Sequence, residues 1–179
     1  MREYIQRMKG GAEAPPGVPL SEVFWSWLGS VLGIGICGYL SAAYFEPRAS
    51  TLLIGSFGAS AVLVYAAIKS PLAQPRNLVG GHILSGLVGV GCYFLFGGTI
   101  WLAGALAVSL AIALMLLTRT LHPPGGATAL IAVIGGDQIH DLGFLYAFVP
   151  AGAGALVLLL VALLVNNLNG SRRYPEYWF

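Results

Sequence analysis

Residues 99–118 read TIWLAGALAVSLAIALMLLT and contain no Asp, Glu, Lys or Arg. As a helix, a run of this length covers about 30 Å, the thickness of the hydrocarbon core of a bilayer. Three more uncharged apolar runs of similar length occupy residues 23–45, 77–96 and 143–168. Of the 179 residues, 57% are hydrophobic and only 9% are charged, too few charges to cover the surface of a soluble domain. The sequence therefore predicts an all-α, polytopic transmembrane helical bundle.

Two further apolar stretches are too short or too interrupted to be ordinary transmembrane helices. Residues 51–68 contain Gly55 and Gly58 near their start, and residues 125–134 are a run of only ten. Ten helical residues cover about 15 Å, half of a bilayer. We predict that both are broken or re-entrant helices whose non-helical backbone is buried in protein or lines a cavity, because lipid cannot satisfy it. The expected total is six membrane segments.

The basic residues predict the orientation of these segments. If the chain crosses six times, eight of the nine basic residues lie on one side, in residues 1–22, 69–76, 119–124 and 169–179. Because basic loops stay in the cytoplasm, we predict a multi-pass protein of the plasma (inner) membrane with both termini cytoplasmic. In the alternative, the chain crosses four times and both short elements are re-entrant. The two termini would again lie on the same side of the membrane, but Lys69 and Arg76 would lie on the other side.

The predicted spans define one domain with two flanking segments. Residues 23–168 form the transmembrane domain, and residues 1–22 form a cytoplasmic arm without the apolar run of a secretory signal peptide. Residues 169–179 form a cytoplasmic tail that contains Arg172, Arg173 and several aromatic residues. This composition is typical of an interfacial belt at the membrane surface, and we assign it no chemistry.

The chain contains a short internal repeat. Residues 58–63 read GASAVL and residues 126–131 read GATALI, at an offset of 68 residues. We predict two repeat units, about 23–96 and 99–168, each a long helix, a broken short helix and a long helix. Three crossings per unit would invert the second unit relative to the first. Transporters built in this way bind their substrate near the bilayer midplane, where the broken helices meet.

The sharpest local motif is HPPGGAT, residues 122–128. Prolines are favoured in the first turn of a helix, and the free N–H groups of that turn attract anions. In an inverted repeat, the matching segment GSFGAS, residues 55–60, would supply a second helix N-terminus facing the first. The alternative is a simple turn with a Thr128 hydroxyl bonded to its own helix. We predict an anion site formed by Gly55, Ser56, Gly58, Ser60, His122, Gly125, Gly126 and Thr128.

His82 is a further candidate for the same site. It lies five residues beyond Asn77, the predicted N-cap of its helix, and therefore about 7.5 Å deeper in the membrane. A polar ring at this depth indicates a functional group, so we include His82 among the substrate-binding residues. The alternative is an interhelical hydrogen bond to a serine or a carbonyl.

The sequence argues against several other functions. The three histidines and two cysteines do not have the spacing of metal ligands on one helix, so we predict no metal and no cofactor. There is no GxxxxGK[S/T] motif and no pair of acidic residues within a span, so we predict that the protein is not an enzyme. A net charge of +2 is too small to indicate a nucleic-acid partner.

Three motifs, taken in order, resemble the HPP family of integral membrane proteins, which takes its name from a His-Pro-Pro motif. They are residues 55–61 (GSFGASA), 70–82 (SPLAQPRNLVGGH) and 122–129 (HPPGGATA), and the resemblance covers about residues 50–165. Family members from cyanobacteria and plant chloroplasts are associated with nitrite transport, so the resemblance implies nitrite here. The family is often described with four spans, whereas six are expected above.

The sequence thus predicts a transporter or channel for a small monovalent anion, with nitrite as the first candidate. Lys69, Arg76 and Arg119 would raise the anion concentration at the cytoplasmic mouth, although positive-inside anchoring alone also explains them. One alternative is a carrier for a cation or a small neutral solute, and a second is a non-transporting membrane scaffold. The spacing of Gly29 and Gly33 favours close helix contact and a homo-oligomer in the lipid bilayer.

Overall fold

The computed structural model describes residues 7–8, 13–45 and 53–179 of the chain. Some predictions fall on residues outside these ranges, namely part of the N-terminal arm, the first two residues of the 51–68 segment, and the basic residues Arg2, Lys9 and Arg48. The elements within the described ranges are helical.

The helices follow one another with short connections. In chain order they are α1 (Leu20–Phe45), α2 (Ser56–Ala61), α3 (Pro75–Phe96), α4 (Ile100–Leu117), α5 (Pro123–Ile134), the single-turn α6 (Asp137–His140) and α7 (Ala153–Val165). A π-helical turn, Val62–Ala66, continues α2, and a 3-10 turn, Pro71–Ala73, precedes α3. A 3-10 turn, Gly143–Ala147, and a π-helical turn, Phe148–Gly152, lead into α7.

Four helical segments are long and apolar enough to cross a membrane: Leu20–Tyr44, Pro75–Phe96, Ile100–Leu117 and Gly143–Val165. They confirm the four long runs that the sequence predicts. The two shorter apolar helices, Ser56–Ala66 and Pro123–Ile134, also lie where short elements were predicted. The 12 residues of α5 cover only about 18 Å, so length alone gives four full crossings and not six.

Helix α3 packs closely against its neighbours because two of its glycines have no side chain to keep the neighbouring segments away. A Cβ atom on Gly86 would lie 2.7 Å from the Cα of Ala147, and a Cβ atom on Gly89 would lie 2.7 Å from the Cβ of Ala132. Small residues allow this close approach in membrane proteins, where packing and hydrogen bonds drive helix association. The α5 helix and the turn that contains Ala147 are thereby held directly against α3.

Large apolar side chains cover the outside of the bundle. Trp101 and Leu117 on α4 are 76% and 79% exposed, and Leu164 on α7 is 70% exposed. A soluble protein rarely carries a continuous apolar surface of this kind, whereas lipid solvates it. The exposed faces therefore agree with a helical bundle embedded in a membrane.

The C-terminal tail folds back onto the bundle. Arg172 is 5% exposed, donates a hydrogen bond to the carbonyl of Tyr65, and places its Nε 3.5 Å from the carboxylate of Glu22. Tyr174 is 2% exposed and donates its hydroxyl to the carbonyl of Ala73 at 2.7 Å. The predicted interfacial belt is wrong for Arg172 and Tyr174. Their side chains are buried because they bond to carbonyls that short helical turns leave free.

The loop after α4 reaches the same end of the bundle as this tail. Arg76 donates a hydrogen bond to the carbonyl of Thr118, and the Asn77 amide donates to the carbonyl of Leu121 at 2.9 Å. Asn77 does not cap α3 as predicted, because the helix already begins at Pro75. The start of α1, the segment before α3, the loop after α4 and the tail thus share one end. The basic residues assign the same four segments to one side of the membrane.

Gly29 and Gly33 on α1 pack against the ring of Tyr65. A Cβ atom on Gly29 would lie 2.7 Å from the Cδ1 of Tyr65. The ring is fixed because the Tyr65 hydroxyl donates to the carbonyl of Leu158 at 3.0 Å. These two glycines therefore serve packing within the chain, and the prediction that they form an oligomer contact is wrong. The homo-oligomer stays a prediction without this support.

We expect Gly29→Leu to lower the free energy of unfolding by about 1–3 kcal/mol, because the new side chain overlaps the Tyr65 ring. Thermal unfolding of the protein purified in detergent measures the effect. Gly35→Leu is the matched control, since Gly35 lies on the exposed face of α1 with open space around its Cβ position. Equal loss of stability in both variants would contradict the packing described here.

Candidate functional site

Five buried polar side chains meet between α2, α3 and α5, and we call them the polar cluster. All five are among the predicted substrate-binding residues, and none is more than 1% exposed. They come from three parts of the chain that only the tertiary fold brings together. The members are Ser56, Ser60, His82, His122 and Thr128.

The Pro-Pro-Gly-Gly sequence positions two members of the cluster. Pro123 begins α5, and His122 precedes it in an extended conformation with φ −139° and ψ 103°. Gly125 lets the first turn of α5 lie against α3, since a Cβ atom there would come within 2.7 Å of the Ser85 hydroxyl. As a result, His122 and Thr128 both face the side of α5 on which α2 and α3 lie.

Ser60 links the two histidines of the cluster. Its hydroxyl oxygen lies 2.7 Å from Nε2 of His82 and 2.9 Å from Nε2 of His122. The two imidazole rings are arranged edge to face with their centroids 5.1 Å apart. On its other side, Nδ1 of His122 lies 2.8 Å from the carbonyl oxygen of Leu72. A single hydroxyl therefore joins two imidazoles inside the transmembrane domain.

Thr128 connects His82 to the remainder of the cluster. Its Oγ1 lies 2.7 Å from Nδ1 of His82 and 2.9 Å from the hydroxyl of Ser56. The hydroxyl of Tyr146, from the fourth span, donates to the carbonyl of Thr128 at 3.0 Å. The cluster is thus one continuous hydrogen-bonded chain that runs from Ser56 to Leu72.

The cluster also defines how the two short helices lie relative to each other. Ser56, the first residue of α2, pairs with Thr128 inside α5, whereas Ser60, one turn later, pairs with His122 at the start of α5. Helices α2 and α5 therefore run in opposite directions with their first turns side by side. The predicted arrangement, in which the two N-termini face each other across a gap, is wrong, because the first turns of the two helices overlap and are in direct contact. Direct hydrogen bonds occupy the space between the helices.

When both imidazoles are neutral, the carbonyl of Leu72 determines which nitrogen of each ring carries the proton. A carbonyl only accepts, so His122 donates from Nδ1 to Leu72 and accepts at Nε2 from Ser60. The Ser60 hydroxyl has a single proton, so His82 donates from Nε2 to Ser60. A neutral His82 then accepts at Nδ1 from Thr128, whose single proton points to His82 and away from Ser56. Each ring then has one donor and one acceptor, and all four ring nitrogens are hydrogen-bonded.

Three of the predicted glycines do not contact the cluster. Gly55 and Gly58 are exposed, with open space around their Cβ positions. Gly126 faces an apolar cavity of about 450 Å³ between α4 and α5, where Val108 lies 3.8 Å from its Cβ position. Neighbouring helical residues point about 100° apart, so Gly125 and Gly126 cannot both face α3. The predicted approach of an anion to Gly126 is corrected accordingly.

We expect Gly125→Ala to destabilise the protein by about 1–3 kcal/mol, while Gly126→Ala leaves stability within about 0.5 kcal/mol of the unchanged chain. The reason is that the Cβ atom at position 125 would lie 2.7 Å from the Ser85 hydroxyl and 3.0 Å from the carbonyl of Gly81. Chemical or thermal unfolding of the two purified variants measures the difference. A larger loss from Gly126→Ala would mean that the orientation of α5 is wrong.

The residues predicted to attract anions lie at the end of the bundle where the tail is buried. Lys69 and Arg119 are exposed at the surface of the protein. Arg76 is half-buried, and its guanidinium group is bonded to the carbonyl of Thr118. The structure therefore leaves two of the three charges free to act on an approaching anion.

Sequence reasoning missed the position of Arg172. Together with Lys69, Ser70 and Glu22, it lines a cavity of about 350 Å³ at the same end of the bundle. Burial lowers the pKa of the Arg172 guanidinium, and the nearby Glu22 carboxylate acts in the opposite direction. No signal in the sequence distinguishes Arg172 from Arg173, since both lie in the same polar tail.

The cluster contains imidazoles and hydroxyls but no carboxylate or thiol. In the part of the chain that the structure describes, no group of three or more His, Cys, Asp or Glu side chains could hold a metal. The third histidine, His140, stands apart, stacked on Tyr93 and bonded to the carbonyl of Val133. What the cluster offers is two imidazoles and three hydroxyls, which donate hydrogen bonds without a permanent charge.

Comparison with known proteins identifies relatives across nearly the whole chain. The family model described as "HPP, transmembrane region" matches residues 15–175. Two transmembrane proteins of Dictyostelium discoideum are similar to the chain, one 48% identical over 181 residues and the other 46% identical over 183 residues. Each comparison covers 99% of this chain but only 58% and 64% of those proteins, so the chain spans about three fifths of their length. No solved structure matches the chain.

Proposed function

Since the chain belongs to the HPP family of transmembrane proteins, we propose that it transports a small monovalent anion through the polar cluster, with nitrite as the first candidate. The observation that carries this proposal is the meeting of five buried polar side chains inside an apolar membrane bundle. Polar groups at such depth are costly, and they commonly mark the path of a substrate or an ion.

The chemistry of the cluster favours an anion. Nitrite has two oxygens that accept hydrogen bonds, and the cluster supplies hydroxyl and imidazole donors. None of the five side chains carries the fixed charge of a Lys or Arg. Transport requires binding that is weak enough for release, which neutral donors provide better than a permanent positive charge.

The direct contacts within the cluster determine how an anion would bind. Ser60 touches both imidazoles, and Thr128 touches both His82 and Ser56. An anion placed between these groups replaces the hydrogen bonds they make with each other. Binding therefore separates α2 from α5 and pairs hydroxyl and imidazole donors of the cluster with the anion.

We extend the proposal to the topology of the protein. The opposite directions of α2 and α5 support an inverted repeat, in which the two short helices and their lead-ins complete six membrane segments. The end of the bundle that carries Lys69, Arg119 and the tail would then face the cytoplasm, where these charges raise the local anion concentration.

The test is uptake of labelled nitrite into liposomes that contain the purified protein. We expect saturable uptake that protein-free liposomes lack and that one or more of the unlabelled anions nitrate, formate and chloride inhibit. Uptake of labelled alkali cations in place of nitrite would support the cation carrier instead. Absence of uptake of any of these ions by a folded, reconstituted protein would support a membrane scaffold and contradict the proposal.

A further inference from the structure

We propose that the polar cluster binds one proton together with each anion, so that transport is an electroneutral anion–proton cotransport. This inference rests on the proposed function, because it names the ion that accompanies the substrate through the same site. The feature that carries it is a hydrogen-bond network in which both central hydroxyls have a second acceptor for their proton.

The second acceptors lie within the two short helices. The hydroxyl oxygen of Ser60 lies 3.3 Å from the carbonyl of Ser56. The Oγ1 of Thr128 lies 3.3 Å from the carbonyl of Pro124 and 2.9 Å from the Ser56 hydroxyl. In the neutral cluster, Ser60 and Thr128 donate to the histidines. When a ring gains a proton, rotation of the hydroxyl redirects its proton to the second acceptor.

An added proton fits on either ring without the loss of a hydrogen bond. On His122, the new Nε2–H donates to Ser60, whose own proton turns to the carbonyl four residues earlier. On His82, the new Nδ1–H donates to Thr128, whose proton turns in the same way. The proton comes from water on the side of entry, forms one N–H bond, and returns to water on the side of exit.

In the part of the chain that the structure describes, no charged side chain is bonded to the cluster to compensate for the added proton. Among the hydrogen bonds that the described residues make to the cluster, none involves Asp, Glu, Lys or Arg. The imidazoles face hydroxyls of α2 and α5, the carbonyl of Leu72, and the ring of Phe57 at a centroid distance of 5.2 Å from that of His82. The Tyr146 hydroxyl, bonded to the Thr128 carbonyl, is the one titratable neighbour that these contacts add.

The missing counter-charge couples the proton to the anion. A lone imidazolium inside a membrane protein is unfavourable, and so is a lone anion, whereas the pair is neutral. Each therefore tightens the binding of the other, and this coupling is reciprocal. Consider the pH range in which the anion-free cluster carries no added proton. If each anion binds together with one proton, the apparent affinity for nitrite falls by about tenfold for each unit rise in pH.

One end of the cluster is bonded to the chain segment before α3, and the same segment borders a cavity. His122 is bonded to the carbonyl of Leu72, which is half-buried and two residues from Ser70. Ser70 lines the cavity of about 350 Å³ that Lys69 also borders. His122 is thus the member placed to exchange a proton with this side, and His82 is the member that Ser60 connects to it.

The test counts protons directly. Calorimetric titration of nitrite into the purified full chain, in two buffers with different ionisation enthalpies, gives the number of protons taken up per anion bound. We expect about one for the unchanged chain and about zero for the double variant His82→Gln, His122→Gln, because glutamine keeps donors and acceptors but does not take up a proton. His140→Gln is the matched control, since this histidine lies outside the cluster, and we expect it to keep the value of the unchanged chain.

The outcomes separate this inference from the proposed function. Nitrite binding by the unchanged chain with no proton uptake overturns the inference and leaves anion transport standing. Proton uptake that persists in the double variant overturns it as well. Absence of nitrite binding contradicts the proposed function, and this inference with it. If the double variant does not fold, the pH dependence of nitrite binding by the unchanged chain is the test. An affinity for nitrite that stays constant between pH 6 and pH 8 overturns the inference.

Discussion

Replacement of Ser60 by alanine is expected to lower the rate of nitrite uptake at least about tenfold while the bundle stays assembled. The Ser60 hydroxyl is fully buried and bonded to Nε2 of both His82 and His122, at 2.7 and 2.9 Å. Its loss removes one hydroxyl donor to the bound anion, and a hydrogen bond to a charged group contributes about 1.5–3 kcal/mol. A difference of about 1.4 kcal/mol already corresponds to a factor of ten.

The initial rate of uptake into liposomes with equal amounts of protein measures this effect. Ser109→Ala is the matched control, because Ser109 is exposed on α4 and its hydroxyl bonds only to the carbonyl of Leu106. Gel filtration and thermal unfolding establish that both variants are folded. Equal uptake by Ser60→Ala and Ser109→Ala would mean that the cluster only joins the helices and that the anion passes elsewhere.

The long helices could be predicted from the sequence because the signal for them is local. A run of about 20 apolar residues without charge is sufficient to identify a spanning helix, whatever its neighbours are. The internal repeat added one piece of tertiary information. Ser60 and Thr128 occupy equivalent positions at the offset of 68 residues, and both belong to the polar cluster. A contact between the two short helices could therefore be predicted from the amino-acid sequence alone.

The remaining features depend on contacts that the sequence does not encode locally. Gly125 and Gly126 are identical neighbours, yet only Gly125 faces α3, because helical rotation separates their directions by about 100°. Arg172 is buried because the carbonyl of Tyr65 lies within reach of the folded tail, more than 100 residues away in the chain. The direct bonds that close the space between α2 and α5 likewise follow from how far the helices overlap, which no motif specifies.

Gly89→Leu is expected to abolish both the folded bundle and transport, the largest loss of stability among the substitutions considered. A Cβ atom on Gly89 would lie 2.7 Å from the Cβ of Ala132 and 2.8 Å from the Cα of Ala129, both on α5. A backbone atom cannot rotate away as the end of a flexible side chain can. Helix α5 must therefore move, and overpacking of this kind costs about 3 kcal/mol or more.

The displacement of α5 also explains why transport is lost together with stability. Thr128 precedes Ala129 directly and is bonded to His82 on α3, the same helix that carries Gly89. Separation of α3 from α5 therefore breaks the polar cluster at the bond between Thr128 and His82. Gly91→Leu, two residues further along α3, meets open space and is expected to keep its thermal midpoint and its nitrite uptake. A Gly89→Leu variant that unfolds and transports like Gly91→Leu would show that α3 and α5 are not packed in this way, and the geometry of the cluster would have to be abandoned with that contact.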